Sequence, residues 1–544
     1  MSTAGKLIRE ILLNSQKGKT EEYDLLLNRL IDPATPSKTL KNYLRGLTDC
    51  MSVISKNTES LITVIMKMDW LNKDEDVIKA YQNLLVNLMS ANTNYSHVGL
   101  NMLVKQFLPD KNGLPMVDKQ LKVDVELRRK HEQQFIYIHT ALSDTCQLIP
   151  LTPVLLMPVL VKLFPFYKVD TYIQSCYIKN LLQITQYIPD MRQEILQLII
   201  SKLMKLDVLS PRHDLSDIVD SEDEELFEME EDGEKGEEIN ELVKEKEIKH
   251  KEADCLDILM EMLLNYIFKT LHPNGIFDLE SSKKLYWELM NVFEKIILPT
   301  YECSHIQFIM FYLVSFKPIL ADGMLDYLWK IVQNPNTPII FRQSAVSYMS
   351  SLLSRALYIP ILTVISCLDL MVAWLHCYLD NLSEDKHPDN ILHGTFYAVS
   401  QAVFYVFCFR NTELFQSKKG YKWAEALNFQ RIVTCRLNPL RHCLPIVVST
   451  FSSYSRRHQL AFCDTIIQRN NRCMIPVVNS ATGLAETNFM LKLASFFPFD
   501  PFLLPRCGKL INPIYRVYQG EVSDDTHDSG VSDTGVSINS LLSQ

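Results

Sequence analysis

Apolar residues recur at helical spacing along almost the whole chain, and this pattern restricts the fold more than any other feature of the sequence. Tyr23, Leu26, Leu27 and Leu30 show the i, i+3, i+4, i+7 spacing of an amphipathic helix. The alternation of apolar and polar residues that marks a half-buried strand is nearly absent. Glycine is scarce, at 16 of 544 residues, which also favours helices. The sequence therefore predicts an all-α protein of about eighteen helical segments, paired into about nine antiparallel hairpins.

The chain is too long for one compact core, because a domain usually takes roughly 100–200 residues. A loose repeat of about 40 residues is visible instead. In its clearest unit, a helix over Met324–Val332 leads through the turn Asn334–Pro338 into a second helix that opens at Phe341. Proline in the turn and Arg342 early in the second helix resemble a HEAT repeat. Since a hairpin cannot bury both faces alone, we predict a HEAT-like helical-hairpin solenoid, with a non-repetitive helical bundle as the alternative.

Two segments break the helical pattern. Between Asp214 and Val243, here called the acidic segment, fifteen acidic residues and one basic residue give a net charge of −14. The whole chain carries −9, which leaves +5 for the remainder. Such a composition cannot bury enough apolar surface to order itself, so we predict a long acidic disordered insert over 210–252. The tail 520–544, rich in Ser, Asp and Gly, is predicted to be disordered as well.

No motif for catalysis or for a cofactor is present. The phosphate-binding patterns G-x-x-x-x-G-K and G-x-G-x-x-G do not occur, nor do the G-x-S-x-G elbow and the H-E-x-x-H zinc motif. The thirteen cysteines form no C-x-x-C pair and mostly lie in apolar runs, which predicts buried free thiols in a reducing compartment. We therefore expect no enzyme, no cofactor and no metal site. Proteins built from stacked helical hairpins usually present an extended surface that binds partners.

A membrane span is not expected either. The N-terminus lacks the apolar run of a signal peptide. The stretch Asn390–Phe409 carries no formal charge over twenty residues, but His393, Ser400 and Gln401 interrupt it. A membrane helix would be more uniformly apolar, so we predict a helix buried between neighbouring helices of a soluble, intracellular protein.

Several unusual strings occur in an order that resembles one family. In the first half these are LIDPATPSKTLKNYLRGL at 30–47 and NLLQITQYIPDMRQEILQLIISKLMKLDV at 180–208. Further along come LPTYECSHIQFIMFYLVSFK at 298–317 and HGTFYAVSQAVFYVFCFR at 393–410. The last is FFPFDPFLLPRCGKLINPIYRVY at 496–518. Together they resemble the growth-regulated transcription initiation factor IA family of RNA polymerase I, over most of the predicted folded body.

The resemblance implies more than the helical pattern does. Members of this family have a HEAT-repeat fold and are not enzymes. They bind RNA polymerase I, make it competent for initiation at ribosomal RNA gene promoters, and bridge it to the promoter-bound selectivity factor, a TBP-containing complex. The resemblance also implies location in the nucleus and nucleolus, regulation by phosphorylation, and a homodimer. The alternatives are a HEAT-repeat nuclear transport or scaffold protein and an uncharacterised helical enzyme.

These inferences divide the chain into five segments. They are N-terminal HEAT-like repeats at 1–209, the acidic disordered insert at 210–252, C-terminal HEAT-like repeats at 253–495, an extended C-terminal strap at 496–519 and a disordered tail at 520–544.

Two serines of the insert are candidate phosphorylation sites. Ser221 is followed by Glu-Asp-Glu, which suits an acidophilic kinase of the casein kinase II type. Ser210 precedes Pro211, which suits a proline-directed kinase. Each phosphate adds about −1.5 to −2 charges. Because the segment is already strongly acidic, a switch there needs a basic partner surface, and a passive linker is the alternative.

The strap and one basic pair are candidate partner contacts. Pro498 and Pro501 each remove a backbone donor, so we expect the strap to dock in an extended form. Its phenylalanines then need an apolar groove, for which we expect the last helix pair, and they either cap the terminal repeat or contact the polymerase. The candidate residues are Phe496, Phe497, Phe499, Arg469 and Arg472, and the two arginines also suggest a weak contact with DNA.

Overall fold

The structure is a computed structural model of the 544-residue chain. It describes residues 3–54, 58–109, 116–117, 120–121, 125–210, 251–300, 303–382, 390–416, 418–473 and 497–518. The chain divides into two compact units, Met1–Lys202 and Leu203–Gln544. The predicted acidic insert lies outside the described residues except for Ser210, Lys251 and Glu252, and the predicted tail 520–544 lies outside them entirely.

The first unit is built from helices joined by short turns. Their bounds are α1 Thr3–Gln16, α2 Glu21–Ile31, α3 Ser37–Asp49, α4 Glu59–Lys67, α5 Glu75–Ala91, α6 Thr93–Lys105, α7 Val125–Leu148, α8 Thr152–Leu163, α9 Thr171–Tyr187 and α10 Arg192–Val208, which runs past the division. Short 3-10 turns lie at Met51–Val53 and Pro189–Met191. Two-residue strands, β1 Met116–Val117 and β2 Gln120–Leu121, pair antiparallel, with Met116 opposite Leu121.

These helices form two layers. The odd-numbered helices α1, α3, α5, α7 and α9 pack in succession, and α2, α4, α6 and α8 do the same. Neighbours along the chain, such as α5 and α6, connect the layers. This is the arrangement of stacked hairpins, each covering the face that its neighbour leaves open. The prediction of an all-α fold of HEAT-like hairpins is confirmed.

A buried histidine links α7 to α9 in the core of the first unit. His139 Nε2 lies 3.0 Å from Asn180 Oδ1, and its Nδ1 lies 2.9 Å from the Tyr187 hydroxyl. Because an amide oxygen only accepts hydrogen bonds, Nε2 carries the proton and Nδ1 accepts from Tyr187. Burial lowers the pKa of His139 to about 4, although the hydrogen bond to Asn180 opposes the shift. The ring is therefore neutral at physiological pH and satisfied at both nitrogens.

The histidine makes the stability of the first unit depend on pH. Its pKa is depressed in the folded state relative to 6.5 in the unfolded chain, so its contribution is present above pH 6.5 and is lost as pH falls toward 4. We expect the free energy of unfolding to drop by about 3 kcal/mol over that window. Urea titrations monitored by circular dichroism at several pH values measure this. His139→Gln should flatten the slope between pH 6.5 and 4, and an unchanged slope would contradict the assignment.

The second unit contains the remaining helices. Their bounds are α11 Lys251–Leu271, α12 Leu279–Val292, α13 Phe308–Ser315, α14 Pro318–Gln333, α15 Ile339–Arg355, α16 Ile361–Asp380, α17 Asn390–Phe409, α18 Asn411–Leu414, α19 Lys418–Ala426, α20 Phe429–Val433, α21 Pro439–His442, α22 Pro445–Arg457, α23 Asp464–Cys473 and α24 Pro505–Ile511. A π-helical turn, Phe293–Ile297, extends α12, and 3-10 turns lie at Pro273–Gly275 and Asn512–Ile514.

Two local predictions in this unit are confirmed. The predicted turn Asn334–Pro338 separates α14 from α15, and Asn334 Oδ1 accepts the N–H of Asn336 at 3.0 Å. The uncharged stretch Asn390–Phe409 is helix α17, which packs against α15, α16 and α22. Among the described residues, Leu392–Phe409 and Ile361–Asp380 are long and apolar enough to cross a membrane. The first is 89% buried within the protein, as expected for a core helix, whereas α16 is 33% buried.

The cysteines behave as their apolar surroundings indicate. Where the structure describes the side chain, twelve cysteines are free thiols, and nine of these are buried. Burial raises the pKa of Cys146 and Cys176 to about 11, so these thiols stay protonated and act as small apolar side chains.

Candidate interaction surfaces

The C-terminal segment, residues 497–518, lies against helices of the second unit. Residues 497–504 are not helical, as predicted, but Pro505 begins the short helix α24. The expectation of an extended strap through 519 is therefore corrected for 505–514. The physical reason is a carboxylate: Asp257 of α11 accepts the N–H groups of Arg506 and Cys507 at 2.8 and 2.9 Å. These are donors of the first helical turn, which have no partner within their own helix.

Asp257 is fully buried, so this pairing is a strong constraint. The Cys507 thiol donates to the backbone carbonyl of the same aspartate at 3.3 Å. Burial and the neighbouring Asp257 charge raise the pKa of Cys507 well above its ordinary value. A buried carboxylate needs hydrogen bonds to replace water, and the start of α24 supplies them.

Phe499 fills an aromatic groove. Its ring centroid lies 5.5 Å from Phe308, 5.0 Å from Phe311 and 5.8 Å from Tyr348, on helices α13 and α15. Its N–H donates to the Ser351 hydroxyl at 2.9 Å, and its carbonyl accepts from the Tyr515 hydroxyl at 3.0 Å. The predicted groove on the last helix pair is corrected, because the large aromatic surface lies earlier in the chain.

The burial of these rings bears on the two roles predicted for them, capping of the terminal repeat and contact with the polymerase. Phe499 is 0% exposed, and Phe497 is 5% exposed and stacks on Tyr405 of α17 at 4.3 Å. A direct contact of either ring with a partner would require the segment to leave its groove. Their position favours the capping alternative. Phe496 lies outside the described residues.

A buried arginine of α15 also contacts the C-terminal segment. Arg355, at the end of α15, holds its guanidinium over the rings of Phe409 and Tyr515, 4.7 and 5.5 Å from their centroids. Asp500 lies 3.9 Å away. The backbone of Arg355 also accepts the N–H of Arg516 at 2.7 Å, as part of a one-residue antiparallel bridge. Backbone pairing and buried charge together fix the register of the segment.

Removing the Asp257 carboxylate should release α24. Asp257→Ala leaves two buried N–H donors without a partner, which costs about 2–5 kcal/mol in total. Hydrogen exchange at residues 505–511 should speed up sharply, and the midpoint of thermal unfolding should fall. The matched control is Asp254→Ala, since Asp254 contacts the half-exposed Arg506 only at 3.9 Å and should contribute less than about 1 kcal/mol. Equal rates of hydrogen exchange at residues 505–511 in both variants would show that Asp257 does not anchor α24.

An apolar stripe lies on the surface of the first unit. Leu151, Val154, Pro158 and Val161 are exposed and follow helical spacing along α8. Leu148 and Phe166, just outside this helix, are exposed as well. No charged residue interrupts the chain from Leu151 to Val161. Exposed apolar residues that share one side of a helix are typical of an interaction site.

This stripe was not predicted from the sequence. The signal was present as the uncharged run at 151–161. A buried core helix gives the same pattern, however, so only the packing of α8 reveals which side stays in water.

Arg469 and Arg472 lie one helical turn apart on α23, and both are exposed. Among the described residues, no carboxylate lies within ion-pair distance of either guanidinium. Their arrangement suits an anionic partner, and the predicted contacts of these two residues stay predictions.

Of the two candidate phosphorylation sites, only Ser210 lies among the described residues. Ser221 lies outside the described residues. Ser210 ends the turn after α10, where its N–H donates to the Asp207 carbonyl at 3.1 Å. It is 1% exposed, so a kinase would need local opening of this turn to reach its hydroxyl. Both sites stay predictions.

Comparisons with known proteins agree on one family. A family model described as RNA polymerase I specific transcription initiation factor RRN3 matches residues 1–522. The mouse RNA polymerase I-specific transcription initiation factor RRN3 is 38% identical over 534 residues, which cover 95% of this chain and 81% of the mouse protein. The factor rrn3 of Schizosaccharomyces pombe is 26% identical over 512 residues, 89% of this chain and 81% of the yeast protein.

A solved structure shares the fold. The crystal structure of RNA polymerase I transcription initiation factor Rrn3 superposes with a TM-score of 0.73 at 21% identity, and covers 95% of this chain and 98% of that chain.

Proposed function

Because the chain belongs to the RRN3 family of RNA polymerase I-specific transcription initiation factors, we propose that it binds RNA polymerase I and makes the enzyme competent to initiate at ribosomal RNA gene promoters. The observation that carries the proposal is the family match over residues 1–522, which takes in described parts of both compact units. A factor of this polymerase acts in the nucleus. The transport and scaffold alternatives have no observation in their favour.

The finer parts of the function belong to the same proposal. The protein bridges the polymerase to the promoter-bound, TBP-containing selectivity factor, acts in the nucleolus, and forms a homodimer when no polymerase is bound. It works by binding protein partners and not as an enzyme. The helical-hairpin fold supports this, because its usual product is an extended surface for protein partners.

The stripe on α8 is the surface that we assign to the polymerase. A stable protein interface needs a well-packed apolar centre from which water is excluded, ringed by polar contacts. The side chains of Leu151, Val154 and Val161 supply such a centre on one helical face, and Lys162 follows at its end. Because the stripe is already in water, these side chains contribute little to folding and are available for binding.

Charges placed on the stripe should abolish polymerase binding without unfolding the protein. The test variant is Val154→Asp with Val161→Asp, at positions that are 68% and 48% exposed. Burying uncompensated carboxylates in an interface should weaken binding by at least about tenfold per substitution. Pull-down with purified RNA polymerase I and promoter-dependent transcription in a factor-depleted extract measure the effect.

The matched control is Leu25→Asp with Ile31→Asp on α2, at positions that are 56% and 60% exposed. This variant should bind and transcribe as the unchanged protein does. Equal binding by both variants would show that the stripe is not the polymerase contact. Failure of the unchanged protein to bind polymerase or to restore transcription would overturn the function itself.

A further inference from the structure

The last helices of the second unit are unusually rich in arginine. Residues 428–473 contain seven arginines, no lysine and one acidic residue, Asp464, a net charge of +6. Arg431 pairs with Asp380, and Arg456 pairs with Asp464 at 3.2 Å. Here the arginine surface means the exposed members of this group, which are Arg431, Arg436, Arg456, Arg457, Arg469 and Arg472.

A pair of asparagines holds the turn after Arg436 against helix α23, which carries Arg469 and Arg472. Asn438 and Asn470 exchange two amide hydrogen bonds, at 2.7 and 3.2 Å, which tie the turn before α21 to α23. Arg436 lies two residues before this pair, and Arg469 and Arg472 flank it on α23. The Asn438 backbone has a φ of +47°, a left-handed conformation that asparagine tolerates better than most residues. The fold therefore places the backbone of Arg436 near the helix that carries Arg469 and Arg472.

A stretch of chain with seven arginines and one carboxylate fits a polyanion. Arginine presents a rigid fork of donors that binds carboxylate or phosphate through two parallel hydrogen bonds, which lysine cannot do. Like charges held close together repel one another, so an anionic occupant relieves this repulsion as well as making its own contacts.

We propose that the arginine surface binds the acidic segment of the same chain, Asp214–Val243. The charges are complementary, at −14 for the segment and +6 for residues 428–473. The arginine surface belongs to the unit Leu203–Gln544, and so does Lys251, where the described chain resumes after the segment. A tethered ligand has an effective concentration of the order of millimolar, which exceeds that of a free polyanion in most settings.

The chain is long enough for this contact. Forty residues join Ser210 to the start of α11 at Lys251, so the middle of the segment is about twenty residues from either attachment point. Twenty residues span up to roughly 65 Å. A compact body of about 340 residues has a radius of gyration of only about 20 Å.

Through this contact, the acidic segment regulates the access of other anions to the arginine surface. It neutralises the arginine surface and competes there with other polyanions, nucleic acid included. Phosphate at Ser221 adds about −1.5 to −2 charges and should tighten the contact. Because the pairs form at the surface, the contact should weaken steeply with salt: the screening length falls from about 10 Å at 0.1 M to about 3 Å at 1 M.

Binding of a labelled peptide tests the proposal on the full chain. The probe is a fluorescein-labelled peptide with the sequence of residues 214–243, followed by fluorescence anisotropy at 50 and 500 mM salt. A full-length variant with the acidic residues 222–232 changed to Gln or Asn should bind the peptide at low salt. The unchanged chain should bind it at least about tenfold more weakly, because its own segment occupies the surface. Salt at 500 mM should abolish peptide binding by both chains. Peptide phosphorylated at Ser221 should bind more tightly than the unphosphorylated peptide.

Arginine variants locate the site. In the charge-neutralised chain, Arg469→Gln with Arg472→Gln should weaken peptide binding about tenfold. The control, Arg128→Gln with Arg129→Gln, makes the same charge change at exposed positions of α7 and should have no effect. Equal peptide binding by the unchanged and neutralised chains, or no effect of the α23 variant, would overturn the proposal. It would also be overturned if a labelled 30-base-pair DNA duplex bound both chains equally well, since the arginine surface would then be open to nucleic acid.

Discussion

A helical hairpin buries only one of its two apolar sides by itself, and the remaining structure follows from the need to cover the other. In the first unit, alternate helices stack in two layers, so each hairpin covers the next. In the second unit, α11, α13 and α15 are covered by residues 497–518, which return from far along the chain. The C-terminal segment is therefore part of the core of its unit.

Buried polar groups decide where that segment sits. The Asp207 carboxylate accepts the N–H groups of Ser304, His305 and Ile306 at 2.9 to 3.3 Å and pairs with the His305 ring at 3.0 Å. Phe502 packs edge-on against that ring. Asp257 plays the same part for the start of α24. Apolar grooves accept many side chains, whereas a buried carboxylate accepts only an arrangement that satisfies it, so Asp257 restricts the register of the segment.

The surfaces left for partners differ in chemistry. The stripe on α8 is apolar and uncharged, which suits a protein partner that excludes water from it. The arginine surface is cationic, which suits an anionic chain and a contact that responds to salt and phosphate.

The sequence alone determined the helices, the turn at 334–338, the buried helix α17 and the family, because helical periodicity, proline positions and unusual strings are all local properties. It could not determine that residues 505–511 are helical, since the carboxylate that caps them belongs to Asp257, 250 positions from Cys507. Nor could it tell that Phe499 is buried against α13 and α15, or that α8 keeps one apolar face in water. Periodicity shows that a helix has an apolar side, but only tertiary packing decides what covers it.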